Sequence, residues 1–558
     1  MKTKSPKARL FGASTILVTY SLLLLTRGFG ATLVSGDVSG SWTTNQSPYI
    51  LTADSTVRVG HTLSIEPGVN VIIGPDVTLL IHGGITAVGT PAQPIVIQGA
   101  TPSNYWTSIF MSYSGFTNQF HYCRIHDGSQ ALVLSVDGGN RIMTVEILNC
   151  DFSNCRDSAI VGAALGYQAT GPLGNPTGSA TLMPEIHNCV FDDTGNGCFF
   201  TATYITYNTS DPPADAYVNP RIVGNIFKNL PTDSRAGKAL LLDASWNSIA
   251  STNLSHPLFI NNTVVNSYAG VSARVPNFDT VIKDNLFVNN LTAVYRLGGG
   301  TGGLDASYNC FFRNIKNFSG YPGIYGVPIV ANHNGDPCDA FNNIFLDPRF
   351  IEENRFVVSS TSPCIDAGDP AIADVCFGFS KGTAISDIGA YGGPDACGWL
   401  NHGFAPIITA DPQNQTGCIG GSASFKVRVD GPEPLNYRWY LNDTNLVTGE
   451  TNALLSLIDL QTNQAGTYSV TVSNAFGSAT SQPATLVVFD ACVGIHLYAG
   501  LSITGLVGRT YSVEYVTNLA ANNWTVLASN TFSQPQWLFI DTNTPLDPRR
   551  YFRVRLQP

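Results

Sequence analysis

The sequence predicts an all-β protein, and for most of its length a β-solenoid. Three observations carry the prediction. Hydrophobic residues make up 44% of the 558 and charged residues only 12%, against about 25% charged in typical globular proteins. Much surface is therefore buried, and the remainder is furnished by Asn, Ser, Thr and Gly. Four Met accompany 54 Gly, a composition that suits strands and tight turns better than helices. The third observation is a repeat. A small polar residue stands two places before an apolar one at Cys123 and Ile125, Cys150 and Phe152, Cys189 and Phe191, Asn225 and Phe227, Asn262 and Val264, Asn285 and Phe287, Cys310 and Phe312, and Asn343 and Phe345. Successive spacings are 27, 39, 36, 37, 23, 25 and 33 residues. The shorter ones suit a single coil and the longer ones a coil with an inserted loop.

The elements follow in chain order. Residues 1–30 read as a signal peptide, with Lys2, Lys4, Lys7 and Arg9 ahead of an apolar run and small residues at Gly28 and Gly30. No later segment is apolar for long enough to span a bilayer. Removing this segment leaves 24 basic against 39 acidic residues, a net charge of −15. That balance argues against nucleic acid and anionic membranes as partners. It should also repel acidic polysaccharides unless Ca²⁺ or a local basic groove intervenes.

Residues 31–404 form the solenoid. No single coil can bury its apolar face alone, so stacked coils set like on like. A ladder is expected of Cys123, Cys150, Cys189, Asn225, Asn262, Asn285, Cys310 and Asn343, its amides hydrogen-bonded along the stack. Asn tolerates the left-handed turns that coils need, and Cys is small and readily buried. The ladder cysteines should therefore be free thiols. Cys155 and Cys198 could go either way, whereas a disulfide staple is plausible among Cys338, Cys364, Cys376 and Cys397.

This region resembles the right-handed parallel β-helix of the pectate-lyase-like superfamily, particularly its exported bacterial members. The leading segment "TLSIEPGVNVIIG" at residue 62, "GGITAVGT" at 83, "SPCIDAGDP" at 362 and "SDIGAYGG" at 386 are similar to the flanks of such proteins. The last two look like the segment that closes the helix. The resemblance implies a fold that hosts lyases, hydrolases, adhesins and binding proteins alike.

Residues 405–489 resemble an immunoglobulin-like domain of the bacterial extracellular type. Trp439 takes the buried tryptophan position and Tyr468 the tyrosine corner, with Val427 and Val470 where an inter-sheet disulfide would sit. Cys418 and Cys492 flank the domain and are candidates for a disulfide. Residues 490–558 read as a small β module enclosing Trp524 and Tyr551.

Catalytic candidates are few. Adjacent Asp192 and Asp193 look like a glycosidase acid pair, but neighbours on a strand point to opposite sides. Sister coils place Ser153-Asn154, Lys228-Asn229, Val288-Asn289 and Arg313-Asn314 in the same slot, so a turn is the stronger reading. The companion N-T-D, G-H-G and R-I-K motifs of polygalacturonase-type hydrolases are absent. Asp233, Arg235, Lys238 and Asp243, in one inserted coil, are the best constellation for a lyase, which needs a base beside a neutralised carboxylate. They could equally form a solvated loop. Asp366, Asp369, Asp374 and Asp387 suit Ca²⁺ or turn capping; no cofactor is required. The sequence therefore leaves two functions open. One is a secreted or surface-associated protein binding extracellular polysaccharide or cell-surface glycan. The other is a polysaccharide lyase or glycoside hydrolase.

Overall fold

The computed structural model describes residues 30–558 except 102–103, 114, 168–176, 206–214, 233–235, 244–254, 274–277, 297–303, 353–354, 360, 376–381, 402–404, 431–433, 475–476, 490–498 and 543–549. The signal-peptide reading and Cys376 therefore fall outside the described residues, as do Asp233, Arg235 and Cys492. Among the described residues no helix is long and apolar enough to cross a membrane.

Each rung of the solenoid contributes one strand to each of three parallel faces. In one rung Ala180–His187 lies on face 3, Val190–Asp192 on face 1 and Cys198–Ile205 on face 2. Each pairs in parallel with the equivalent strand of the rungs before and after it. The long strand Tyr49–Val57 pairs with face 1 through its first residues and with face 2 through its last, which joins those two faces into one 20-stranded sheet. The core is the space between the faces, and alternate residues of every strand point into it.

The corners explain the Asn content. The residue just before face 1 is left-handed in rung after rung: Asn149, Asn188, Gly224, Asn261, Asp284, Tyr308 and Asn342. The residue just after face 1 is left-handed too, at Asn154, Asp193, Asn229, Asn266, Asn289 and Arg313. Short polar side chains and glycine adopt that backbone at least cost. Asp193 thus sits in a turn slot. Its neighbour Asp192 points outward and is held by Lys228 Nζ at 3.2 Å and by the Asn229 amide at 2.9 Å.

The ladder runs inside the first corner. The Cys123 N–H donates to Cys150 Sγ, and the Cys150 N–H to Cys189 Sγ, both at 3.4 Å. The Cys189 N–H donates to the Asn225 side-chain carbonyl at 2.8 Å, Asn225 to Asn262 at 2.9 Å and Asn262 to Asn285 at 2.8 Å. The next member is Asn309 rather than Cys310: Asn285 donates to Asn309, and Asn309 to Asn343, each at 3.0 Å. The spacings there are 24 and 34 residues. An amide accepts along the stack and donates to a carbonyl at once, which a thiol does less well, and Tyr308 supplies the left-handed corner. The one-residue shift turns Phe311 inward and Cys310 outward.

Phe152, Phe191 and Phe227 stack in the core at centroid distances of 5.0 and 4.5 Å. Val264 interrupts the row, and Phe259 from face 3 bridges Phe227 and Phe287 at 5.8 and 6.4 Å. Phe318, Tyr321 and Tyr325 pack against the exposed end of this core. The end is therefore closed by residues 318–325.

The described residues of 362–399, a stretch expected to close the helix, instead run back along its side as a strap over the outer surface of face 1. It buries Cys364, Ala367, Ile388, Ala390 and Trp399 against Ile226, Val265, Leu286, Val288 and Cys310. The reason lies in the corners it crosses. The Asp369 N–H donates to Asp284 Oδ1 and the Gly389 N–H to the Asp284 carbonyl, both at 2.8 Å. Asn261 donates to Ser386 and Asp387, and the Trp399 indole to the Gly224 carbonyl. At Gly368, Gly393 and Gly398 a side chain would collide with Asp284, Asn261 and Asn188, so the glycines of "DAGDP" and "GAYGGPDACGW" are what let the strap settle on successive corners. Gly393 also has φ +76°. Gly393→Ala should cost about 2 kcal/mol or more, from backbone conformation and collision together, read as a lowered melting temperature.

The acidic set serves this strap. Asp366 accepts from Thr383, Asp387 from the Asp366 N–H, and Asp374 from the Asp387 and Gly393 N–H groups. Cys338 and Cys364, two of the four staple candidates, are buried thiols, as are Cys123, Cys150, Cys155, Cys189, Cys198 and Cys310. Cys310 Sγ donates to the Leu346 carbonyl at 3.4 Å and shares a buried cluster with Cys364 of the strap, and its thiol pKa is pushed well up, by Cys364 first and by burial. Cys397 is disulfide-bonded.

The immunoglobulin-like sandwich buries Trp439, whose indole donates to the Asn452 carbonyl at 2.9 Å. The Tyr468 hydroxyl donates to the Gln464 carbonyl at 2.8 Å, forming the tyrosine corner. Val427 and Val470 lie in its apolar core. Cys418 is disulfide-bonded and ends a strand parallel to Ala484–Phe489, opposite Phe489. The last module packs Ile503, Val513 and Phe532 with Trp537 and Phe539. Tyr551 is exposed, a correction to the expected core, and Trp524 is half-buried beneath Arg553.

Candidate functional site

The predicted lyase constellation is described at two of its four positions. Lys238 opens the face-2 strand Lys238–Asp243 and Asp243 ends it, which places them about 16 Å apart at 3.3 Å per residue. The Lys238 side chain is buried, with its ammonium donating to the Ala236 carbonyl and lying 5.1 Å from the Tyr268 ring centre. Asp243 points outward in line with Thr201 of the preceding rung.

A groove of about 480 Å³ lies beside the strap. Its floor has one residue per rung: Lys228, Val265, Val288 and Phe312, in register across four strands. Its edge is the second corner of the same rungs, Asn229, Asn266, Asn289 and Arg313, all exposed. Its far wall comes from the chain leading into the strap, with Asp347, Arg349, Phe350 and Phe356. The Asn266 amide reaches Asn229 at 3.5 Å, and Arg313 lies over the Phe312 ring at 4.9 Å. Arg349 donates to the Thr361 carbonyl at 2.6 Å, and its N–H to Asp347 at 2.9 Å. Phe350 meets Phe356 edge-on at 5.4 Å.

The backbone of this groove is strained. Among the described residues five that are neither Gly, Asn nor Asp have left-handed backbone: Tyr122, Tyr308, Arg313, Arg349 and Phe356. Three of the five line the groove, and such outliers persist where the surroundings over-determine them, often at ligand sites. In charge, Lys228, Arg313 and Arg349 face Asp347 and the Lys228-bound Asp192, so a chain of net charge −10 turns locally basic here.

A second cleft of about 410 Å³ lies on the strap's other flank. His187 bridges Glu185 at 2.8 Å and Asp395 of the strap at 3.0 Å, and Arg221 reaches Glu185 at 3.0 Å. Burial works against the charged ring, but Asp395 and then Glu185 outweigh it and the His187 pKa is raised. This is an ion-pair network that ties the strap to a rung. Among the described residues no group of three or more His, Cys, Asp or Glu is arranged to hold a metal ion.

Sequence reasoning met Asn229, Asn289 and Arg313 as turn residues and did not see them as one surface. The signal available was the repeated exposed residue directly after each face-1 strand. Nothing in the sequence joined it to Arg349 or Phe350.

Residues 405–474 match the immunoglobulin domain family, and no curated protein matches the chain. The solved structures it resembles include the titin M4 domain, 27% identical over 16% of this chain and 98% of that one, with a TM-score of 0.14. The titin M3 domain is 26% identical over 15% and 97%, with a TM-score of 0.14. The tandem Ig repeats of Dlar are 20% identical over 15% of this chain, with a TM-score of 0.15; the chain spans about half of that structure, 49%. Matches of this extent say nothing about the solenoid.

Proposed function

We propose that this is a secreted or surface-associated β-helix protein that binds extracellular polysaccharide, and that the chain lies in the groove beside the strap. One observation carries the reading: amide and guanidinium groups presented once per rung along a floor that is apolar at three of its four residues, with the Phe350 ring on the opposite wall. A repeating polymer is recognised best by a repeating surface, and the rung step of about 4.8 Å is close to the length of a pyranose residue. Ring faces give apolar contact to sugars, and the amides fix orientation by hydrogen bonding. Lys228, Arg313 and Arg349 suit acidic sugars, since guanidinium groups pair with carboxylates in bidentate geometry. The immunoglobulin-like domain fits an extracellular binding module.

Purified protein should retain an acidic oligosaccharide from a glycan panel, and Arg313→Gln with Phe350→Ala should weaken binding at least tenfold. Undiminished binding by that double variant would place the site elsewhere. Release of new reducing ends or unsaturated uronates from the panel would show that the protein is an enzyme instead.

A further inference from the structure

The strap rests on a buried carboxyl group that makes no ion pair among the described residues. Asp284 is fully buried at the corner before face 1, where other rungs use Asn149, Asn188, Asn261 or Asn342. Its Oδ1 accepts the Asp369 N–H, whereas Oδ2 is sealed from solvent with no donor at bonding geometry. Every element around it belongs to the docking line. Gly368 is packed against Oδ2 so closely that a Cβ there would collide with it. The Asp369 carboxylate lies beside it but is taken by Lys283 at 3.1 Å, and Lys283 is shared with Asp305 of the next rung at 3.6 Å. The Ser386 hydroxyl lies beside Asp284 with its donor shared with the Asp387 carbonyl at 3.2 Å, and the Asp387 carboxylate accepts the Asp366 N–H. Asn261, one rung back, spends its amide N–H groups on Ser386 and Asp387. Among the described residues Lys283 is thus the nearby cation, and it is committed to two other acids.

We propose that Asp284 is a pH-sensitive latch: protonated, it lets the strap seat on the corner ladder, and ionised, it loosens residues 362–399 from face 1. Burial pushes the Asp284 carboxyl up to about 7 from 3.8; the Asp369 carboxylate adds to the rise, while the Asp369 N–H, the Ser386 hydroxyl and Lys283 oppose it. A carboxyl whose folded pKa is raised stabilises the docked state fully below its unfolded value. That contribution is lost as pH rises through the folded value, so the window runs from about pH 4 to 7. The latch reaches the groove because Phe356, Val265 and Val288 share one buried cluster with Cys364, Ala367 and Ile388. Loosening the strap loosens the groove's wall, and this consequence alone rests on the polysaccharide reading.

Hydrogen exchange of the intact protein, corrected for the intrinsic rate at each pH, tests the latch. Strap amides should lose protection between pH 5 and 8 relative to the core strands. Of the shift of about three units, about two fall between pH 5 and 8, which sets a ceiling near a hundredfold, and a loss of tenfold or more is expected. Asp284→Asn, which suits a left-handed corner, should keep the strap protected throughout and abolish the dependence. Equal wild-type protection at pH 5 and 8 would overturn the proposal without any variant. So would a dependence that persists in Asp284→Asn. If the strap behaves as expected but oligosaccharide affinity stays constant with pH, the latch stands and its link to the groove fails.

Discussion

Asn262→Ala should lower the stability of the solenoid by about 3–5 kcal/mol, whereas Asn262→Cys at the same position should lower it by roughly half as much. Asn262 is fully buried. Its side-chain carbonyl accepts the Asn225 backbone N–H at 2.9 Å and the Asn225 amide at 3.0 Å. Its own amide donates to the Ile222 carbonyl at 2.9 Å and to Asn285 at 3.0 Å. Truncation strands the Asn225 N–H and the Ile222 carbonyl in a dry interior, each costing about 1–3 kcal/mol, and leaves a cavity besides. A thiol restores the two backbone contacts, because Cys189 in the same role accepts from Cys150 and donates to the Ile147 carbonyl at 3.4 Å. It cannot restore the amide-to-amide bonds. Urea midpoints of the two variants measure the difference. Equal losses would mean that the cysteine rungs are filled by packing alone and that the ladder's hydrogen bonds contribute little.

The second large effect is expected at Phe191. Its ring lies nearly parallel to Phe152 and Phe227, with interplanar angles of 3° and 6°. Phe191→Ala should cost about 3–5 kcal/mol, as buried aromatic truncations do. Phe191→Leu, which keeps most of the volume, should cost about 1.5 kcal/mol or less. Because each rung contacts only its neighbours, hydrogen exchange should report the loss first in the rungs carrying Phe152 and Phe227. A uniform loss along the whole solenoid would show that it unfolds as one cooperative unit.

The repeat was legible because identical demands recur at each rung. A left-handed corner selects Asn, the ladder selects an amide or thiol, and the core selects Phe two places later. The reading slipped only at "YNCFFRN", where Asn309 and Cys310 are both acceptable ladder residues. Neighbouring spacings could not decide between them, since inserted loops make the period irregular. The tyrosine corner and buried Trp439 were legible for the same reason: each is a local pattern tied to a fixed role.

The groove was not legible. Asn229, Asn266, Asn289 and Arg313 are ordinary turn residues one at a time, and Arg349 and Phe350 lie in another part of the chain. The strap was misread as an end cap because its glycines and aspartates announce tight turns without saying what they turn against. Asp284 likewise looks like any corner residue, and its burial exists only once Gly368, Asp369 and Ser386 have closed over it.

For this protein, then, the sequence alone determined the all-β class, the rung and its stacking, and the immunoglobulin-like domain. Those follow from contacts between residues in the same role, which the chain spells out again at every turn of the solenoid. Only the tertiary structure decided where the strap lies, that a basic groove forms beside it and that one carboxyl is trapped beneath it. Each of these depends on unlike segments meeting across the fold, and a meeting that happens once leaves no period in the sequence to read.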